Sequence, residues 1–176
     1  MISKRKKDPL PADAAPSCDW TSPPVKGKER RKRAGSGPAE RDRIHRCRPG
    51  CRWSGVKTER YKQKDGGWSS IVRKVLVGNK GEATKFHLRY FEIAPGGYSS
   101  LEQHRHAHVV IGVRGKGKVR MGKRLYAIGH LDTVYIGPDT VHQLTNPYDE
   151  PFGFFCIVDA RRDRPRPVED KTGKKR

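Results

Sequence analysis

Pro95-Gly-Gly-Tyr-Ser-Ser-Leu-Glu-Gln-His-Arg-His-Ala-His108 opens on a turn and runs into the apolar stretch His108 to Val113, which Gly115 closes. Glu102, His104, His106 and His108 fall at alternate positions. Alternate residues of an extended strand point to the same side, so this spacing predicts one carboxylate and three imidazoles on one face. Neutral imidazole and carboxylate are ligands that first-row divalent metals take. A lone His-x-His arises easily by chance, and a polar strand edge facing solvent needs no metal. Such an edge does not explain why three of the seven histidines gather at the entrance of a hydrophobic strand.

Short runs of β-branched, aliphatic and aromatic residues continue on both sides: Ile71-Val72, Val75-Leu76-Val77, Phe86 to Ile93, Lys118 to Met121, Leu125 to Ile128, Thr133 to Ile136 and Phe152 to Val158. Gly or Pro separates most of them, as at Gly78, Pro95-Gly96-Gly97, Gly115, Gly122, Gly129 and Gly137-Pro138. No apolar period near 3.6 persists for three turns. Many short strands punctuated in this way predict an all-β sandwich or barrel. Within Phe86-His-Leu-Arg-Tyr-Phe-Glu-Ile93, the positions Phe86, Leu88 and Tyr90 suggest one buried face. Phe91 and Ile93 suggest that the other is covered too, as in a packed double layer.

Residues 95–115 resemble the first of the two motifs of the cupin superfamily. The second motif is resembled by Gly129-His-Leu-Asp-Thr-Val-Tyr-Ile-Gly-Pro-Asp-Thr-Val-His-Gln-Leu-Thr-Asn146, which has the strand, the Pro-containing turn, the single His142 and the asparagine four residues later. The resemblance covers roughly residues 70–160, about the size of one small barrel domain. It implies a double-stranded β-helix, the jelly-roll barrel of cupins, with a divalent metal held inside by three ligands of the first motif and one histidine of the second. Counted back from Gly115, the register it implies makes Glu102, His104, His108 and His142 the ligands, with a glutamate in place of the usual first histidine. The alternative register takes His104 and His106 as the pair, with His108 beside them. In a straight strand His104 and His108 would stand about 13 Å apart, so sharing an ion requires a bend. A bulge around Arg105-His106-Ala107 would supply it and turn His106 away, leaving His106 as a reserve ligand or a group supporting the site.

One carboxylate and three imidazoles leave one or two coordination positions open, and Fe, Mn, Ni, Cu and Zn all fit the donor set. An open position can take oxygen, water or a chelating substrate. Cupins of this kind serve as dioxygenases, isomerases, decarboxylases and ligand sensors. The resemblance therefore implies a metal-dependent enzyme, an oxygenase or isomerase on a small molecule, or else a non-catalytic cupin that senses a ligand or metal. Tyr135 and Cys156 are candidates for the cavity wall, with ordinary core packing as the alternative for each. Alternation turns His87 outward and sets Gln143 on the face opposite His142. The sequence has no Ser/His/Asp or Cys/His set, no phosphate-cradling Gly loop and no dinucleotide fingerprint.

A chain of 176 residues and 20.0 kDa has room for one domain with tails. Its mean hydropathy is −0.90, and the longest apolar run, Phe152 to Val158, is far too short for a membrane-spanning helix. The net charge of +20 is concentrated at the ends. Residues 1–52 carry 15 Lys/Arg and 6 Asp/Glu, and residues 161–176 carry 8 and 3. Runs such as Lys4-Arg5-Lys6-Lys7 and Arg30-Arg31-Lys32-Arg33 predict solvated, disordered basic tails over 1–52 and 161–176. Residues 53–69 are then a linker or docking segment, and 70–160 the barrel. The tails could contact nucleic acid or an anionic surface weakly, although no DNA-binding motif is present. Met1-Ile2-Ser3 meets a basic block without the apolar core of a secretory signal. That predicts a cytoplasmic protein whose Cys18, Cys47, Cys51 and Cys156 stay reduced. Cys47-Arg-Pro-Gly-Cys51 reads as two thiols around a turn, since no second Cys/His pair completes a zinc site. An apolar strand edge would favour a homodimer.

Overall fold

The computed structural model describes residues 43–61 and 67–169, all within the unit Pro38–Arg176. The disorder expected for 1–42 and 170–176 lies outside the described residues. Among them are thirteen strands and no helix. In chain order the strands are β1 (Cys47–Arg48), β2 (Arg52–Trp53), β3 (Glu59–Arg60), β4 (Ser69–Val77), β5 (Phe86–Tyr98), β6 (Glu102–Gln103) and β7 (His108–Arg114). There follow β8 (Gly117–Met121), β9 (Arg124–Ile128), β10 (Thr133–Ile136), β11 (His142–Thr145), β12 (Phe152–Asp159) and β13 (Arg166–Pro167).

One layer runs β3-β4-β5-β12-β7-β10, all antiparallel. The other is built from β9, β8, β11, β6 and β13. Strand β5 belongs to both. Its first half pairs with β12 from Phe86 to Ile93, and its end pairs with β11 at Tyr98↔Thr145. The change of layer falls at Ala94-Pro95-Gly96, where Gly96 adopts φ +72°, a conformation open to glycine. Asn146 stitches this bend. Its side-chain amide donates to Ile93 O at 2.9 Å and Glu150 O at 2.8 Å, and its backbone exchanges hydrogen bonds with Gly96 and Gly97. Nearby, the turn into β10 lies so close to β7 that a side chain at Gly112 would collide with the Gly129 carbonyl.

The two layers enclose a core of Ile71, Phe91, Ile93, Val110, Val119, Ile128, Ile136, Leu144, Phe152, Phe154 and Val158. This all-β jelly-roll barrel is the architecture expected from the strand pattern. The alternation in β5 also resolves. Phe91 and Ile93 face this core, and Tyr90 and Leu88 face outward into a second cluster with Cys51, Trp53, Leu76 and Phe155. Phe86 is not part of a buried face; it is 45% exposed.

That second cluster corrects the N-terminal boundary. Strands β1 and β2 form a hairpin around Pro49-Gly50, with Cys47↔Trp53 and Arg48↔Arg52 in register. Cys51 is 3% exposed, and Trp53 packs on Tyr90 at 4.8 Å between ring centroids. Lys74, buried beneath the hairpin, donates to Cys51 O at 2.9 Å with its ammonium over the Trp53 and Tyr90 rings. The folded part therefore begins before residue 52, because Cys51 and Trp53 cover the outer apolar face of β5. The C-terminal boundary is corrected as well. The prolines after β12 do not end the pairing: Arg166–Pro167 adds to β6 at the sheet edge, where proline's missing amide is tolerated. Val168 N then donates to Leu101 O at 3.0 Å.

Candidate metal centre

Strand β6 stops at Gln103, and the chain bends through 104–107 before β7 begins at His108. Among the hydrogen bonds that hold the bend, Asp139 N donates to His104 O at 2.7 Å, and His104 Nδ1 donates to His106 O at 2.7 Å. As a result His104 and His108, which a straight strand would separate, stand with ring centroids 5.1 Å apart. His142, the first residue of β11, comes from the other motif and lies 4.8 Å from the His104 ring and 4.9 Å from His108. One ligand atom from each of these three buried histidines lies within 4.8 Å of the others, a group that can hold a metal ion.

The hydrogen bonding suits that role. Each ring engages the protein through Nδ1: His104 on His106 O, His142 on Thr140 O at 2.8 Å, and His108 on Cys156 Sγ at 3.4 Å. Such contacts fix ring orientation and make Nε2 the candidate ligating nitrogen. His108 Nε2 is buried with no hydrogen-bond partner, an orphaned acceptor that a cation would satisfy. Burial, reinforced by His142 and His104, pushes the His108 pKa down to about 2. Burial and the neighbouring His106 lower that of His104. Both imidazoles are thus neutral at physiological pH, the form that binds metal.

The other expected residues are placed as follows. Glu102 pairs directly opposite His142, is 7% exposed and lines the same cavity. Its Oε1 accepts from Tyr61 Oη at 3.3 Å. His106 stacks flat on His104 at 3.6 Å, and its Nδ1 engages Asp163 Oδ1 at 2.7 Å. Cys156 lines the cavity, taking an Arg89 hydrogen bond at 3.1 Å, and burial raises its pKa against the opposing pull of Arg89. Tyr135 does not line it: the residue is 65% exposed on β10, a correction that follows from Ile136, not Tyr135, taking the inward position. Gln143 is buried, donating to Ser99 O at 2.7 Å. Cys51 and Cys156 are free thiols.

The cavity encloses about 210 Å³. Besides the histidines and Glu102 its wall includes Tyr61, Arg73, Arg89 and Arg162, none of which the sequence marked as a cavity residue. Asp163 was also hidden, within the arginine run read as a tail. Its carboxylate accepts from the amides of Arg105 at 3.0 Å and His106 at 3.1 Å. These bonds, the Arg105 amide first and the His106 ring next, hold its pKa below the ordinary carboxylate range. A carboxylate inside a basic, Pro-rich stretch was the one available signal.

A jelly roll with its histidines gathered from both motifs into one cavity defines a class, and the comparisons agree. The Cupin domain family matches residues 89–158, and the chain belongs to the cupin family. It is 40% identical over 116 residues to 1-methylthio-D-xylulose 5-phosphate methylsulfurylase of Rhodospirillum rubrum, an alignment that covers 65% of this chain and 73% of that enzyme. Among solved structures it resembles a cupin-2 domain from the same organism (39% identity, TM-score 0.62, 68% of this chain and 79% of the other). A cupin 2 conserved barrel domain protein from Rhodopseudomonas palustris is similar too (34% identity, TM-score 0.66, 72% and 87% covered). Among the described residues no helix is long and apolar enough to cross a membrane.

Proposed function

We propose that this protein is a metal-dependent enzyme acting on a small phosphorylated keto sugar of the kind named for its Rhodospirillum rubrum relative, 1-methylthio-D-xylulose 5-phosphate. The observation that carries this reading is the orphaned Nε2 of His108, buried within the group of His104, His108 and His142. In this reading those three nitrogens hold the ion, and Glu102, opposite His142 in register but outside the close group of histidines, supplies a fourth ligand when the ion binds. When bound, the metal supplies Lewis-acid polarisation of a substrate carbonyl. Tyr61, kept protonated by burial and by the adjacent Glu102 carboxylate, holds a proton on its hydroxyl beside the site. Ile71, Val110 and Phe154 form an apolar part of the wall and limit water around the reacting carbons. The donor set accepts Fe, Mn, Ni, Cu or Zn. Buried thiols at Cys51 and Cys156 suit a reducing, cytoplasmic setting.

The test is consumption of 1-methylthio-D-xylulose 5-phosphate, followed by mass spectrometry, with untreated protein, chelator-treated protein and the His142→Ala variant. Restoring each divalent metal in turn ranks the candidates. Consumption that needs the metal and disappears in His142→Ala supports the reading. Tight binding without consumption would make the protein a ligand-binding cupin, and loss of neither metal nor turnover in His142→Ala would overturn the site.

A further inference from the structure

Three arginines enter the cavity wall from three separate segments. Arg73 lies on β4 and Arg89 on β5, one diagonal step apart, since Arg73 pairs with Phe91 and Val75 with Arg89. Arg162 comes from the segment that follows β12. Glu102 is the one carboxylate among the described lining residues, and Tyr61 already donates to it. Glu59, outside the wall, takes Arg73 through a single oxygen, Oε2, at 3.1 and 2.8 Å. Arg162 has no carboxylate: its Nη1 donates to Asp159 O at 3.0 Å and to His87 Nδ1 at 3.3 Å. Arg89 spends Nη2 on the Cys156 sulfur and lies over the Phe91 ring, while its Nε is buried with no partner. Burial, then Arg89 and Arg73, lowers the pKa of Arg162, which marks the three cations as mutually repelling neighbours.

Like charges gathered around an enclosed space with donors left over are stabilised by an anion. A carboxylate is served by one guanidinium fork. Three guanidiniums arriving from different directions suit a tetrahedral dianion with three terminal oxygens. We infer that Arg73, Arg89 and Arg162 form a phosphate-binding pole, which takes the phosphate monoester of the substrate while its keto end meets the histidine cluster. This inference rests on the proposed function for the identity of the whole substrate. The anion site itself stands on the arginine geometry. It sets guanidiniums beside the histidine cluster, with Arg89 and His108 both on the Cys156 sulfur, so a phosphorylated chain is held by its anion and an unphosphorylated analogue loses its anchor.

The experiment is titration of chelator-treated, full-length protein with inorganic phosphate, read by the phosphorus resonance in NMR. Because the chain carries +20, the reference is Arg124→Ala, an exposed arginine on β9, which removes one charge away from the cavity. Saturable binding is expected in wild type and Arg124→Ala alike, and about tenfold weaker in Arg89→Ala and in Arg162→Ala. Arg162 is exposed, so its variant should keep the wild-type circular dichroism even if Arg89→Ala perturbs packing. His142→Ala should bind phosphate as wild type does, which separates this site from the metal assignment. Absence of saturable binding, or equal binding by Arg162→Ala and Arg124→Ala, would overturn the phosphate pole and leave the metal-dependent reading standing. Metal-dependent turnover that failed while phosphate still bound would do the converse.

Discussion

At the residue scale, the consequence of the 104–107 bend is that neighbouring side chains have unequal roles. Glu102 and His106 both lie beside His104, yet Glu102 faces the cavity opposite His142 and His106 is tied to Asp163. Glu102→Gln should therefore lower copurified metal sharply and change the preference among metals, because an anionic donor is lost. His106→Ala should lower it much less. Metal analysis by plasma emission compares the two, and the opposite ranking would move the ligand set to His104, His106 and His108. Asp163 gives a second prediction at this scale. Its folded pKa lies below the ordinary 3.8, so the unfolded chain binds the proton more readily. The stability it contributes is present above 3.8 and is lost as pH falls below that toward the folded value. The gap in melting temperature between wild type and Asp163→Asn should be open at neutral pH and close below about pH 4. A gap that stayed constant with pH would assign the effect to shape instead of charge.

Among the elements, the β1–β2 hairpin is the least expected contributor. It seals the outer face of β5 with Trp53 and brings Lys74 under cover. Deleting residues 1–42 and deleting residues 1–52 should thus give different proteins, the longer deletion melting lower. Trp53→Ala should cost about 3 kcal/mol in denaturant unfolding. Equal melting of the two truncations would show that Cys51 and its neighbours add nothing to the barrel. This hairpin also shows where reading the sequence stops. The barrel was legible because period-2 alternation and Gly/Pro turns are local signals, and His142 was legible because the second motif carries it. Cys51 and Trp53 are joined to Lys74 and Tyr90, far along the chain, by packing and by the Lys74 ammonium, and a basic, Pro-containing segment has the composition of a tail whether or not it docks. The cavity arginines were missed for a related reason. Arg73 and Arg89 sit within alternating strands, where a charged residue ordinarily marks the solvent side, and nothing local reveals that this side faces an enclosure.

For the whole molecule, positive charge is shared between the N-terminal residues and the folded part. Residues 1–42 hold 11 Lys/Arg and 6 Asp/Glu. Their removal should weaken salt-sensitive binding to a polyanion such as heparin, while metal content per chain stays the same. Retention on a heparin column at two salt concentrations tests this, and unchanged retention would place the polyanion-binding surface on the remaining chain. The path of the C-terminal segment has a broader consequence. After β12 it passes Arg162 along the cavity, ties Asp163 to the 105–106 backbone and closes on β6. Those residues lie outside the two motifs that build the barrel and its histidine cluster. Exchanges there can reshape the cavity's opening without disturbing the frame, so a lineage descended from this chain can acquire new substrates by changing a few codons of this one segment.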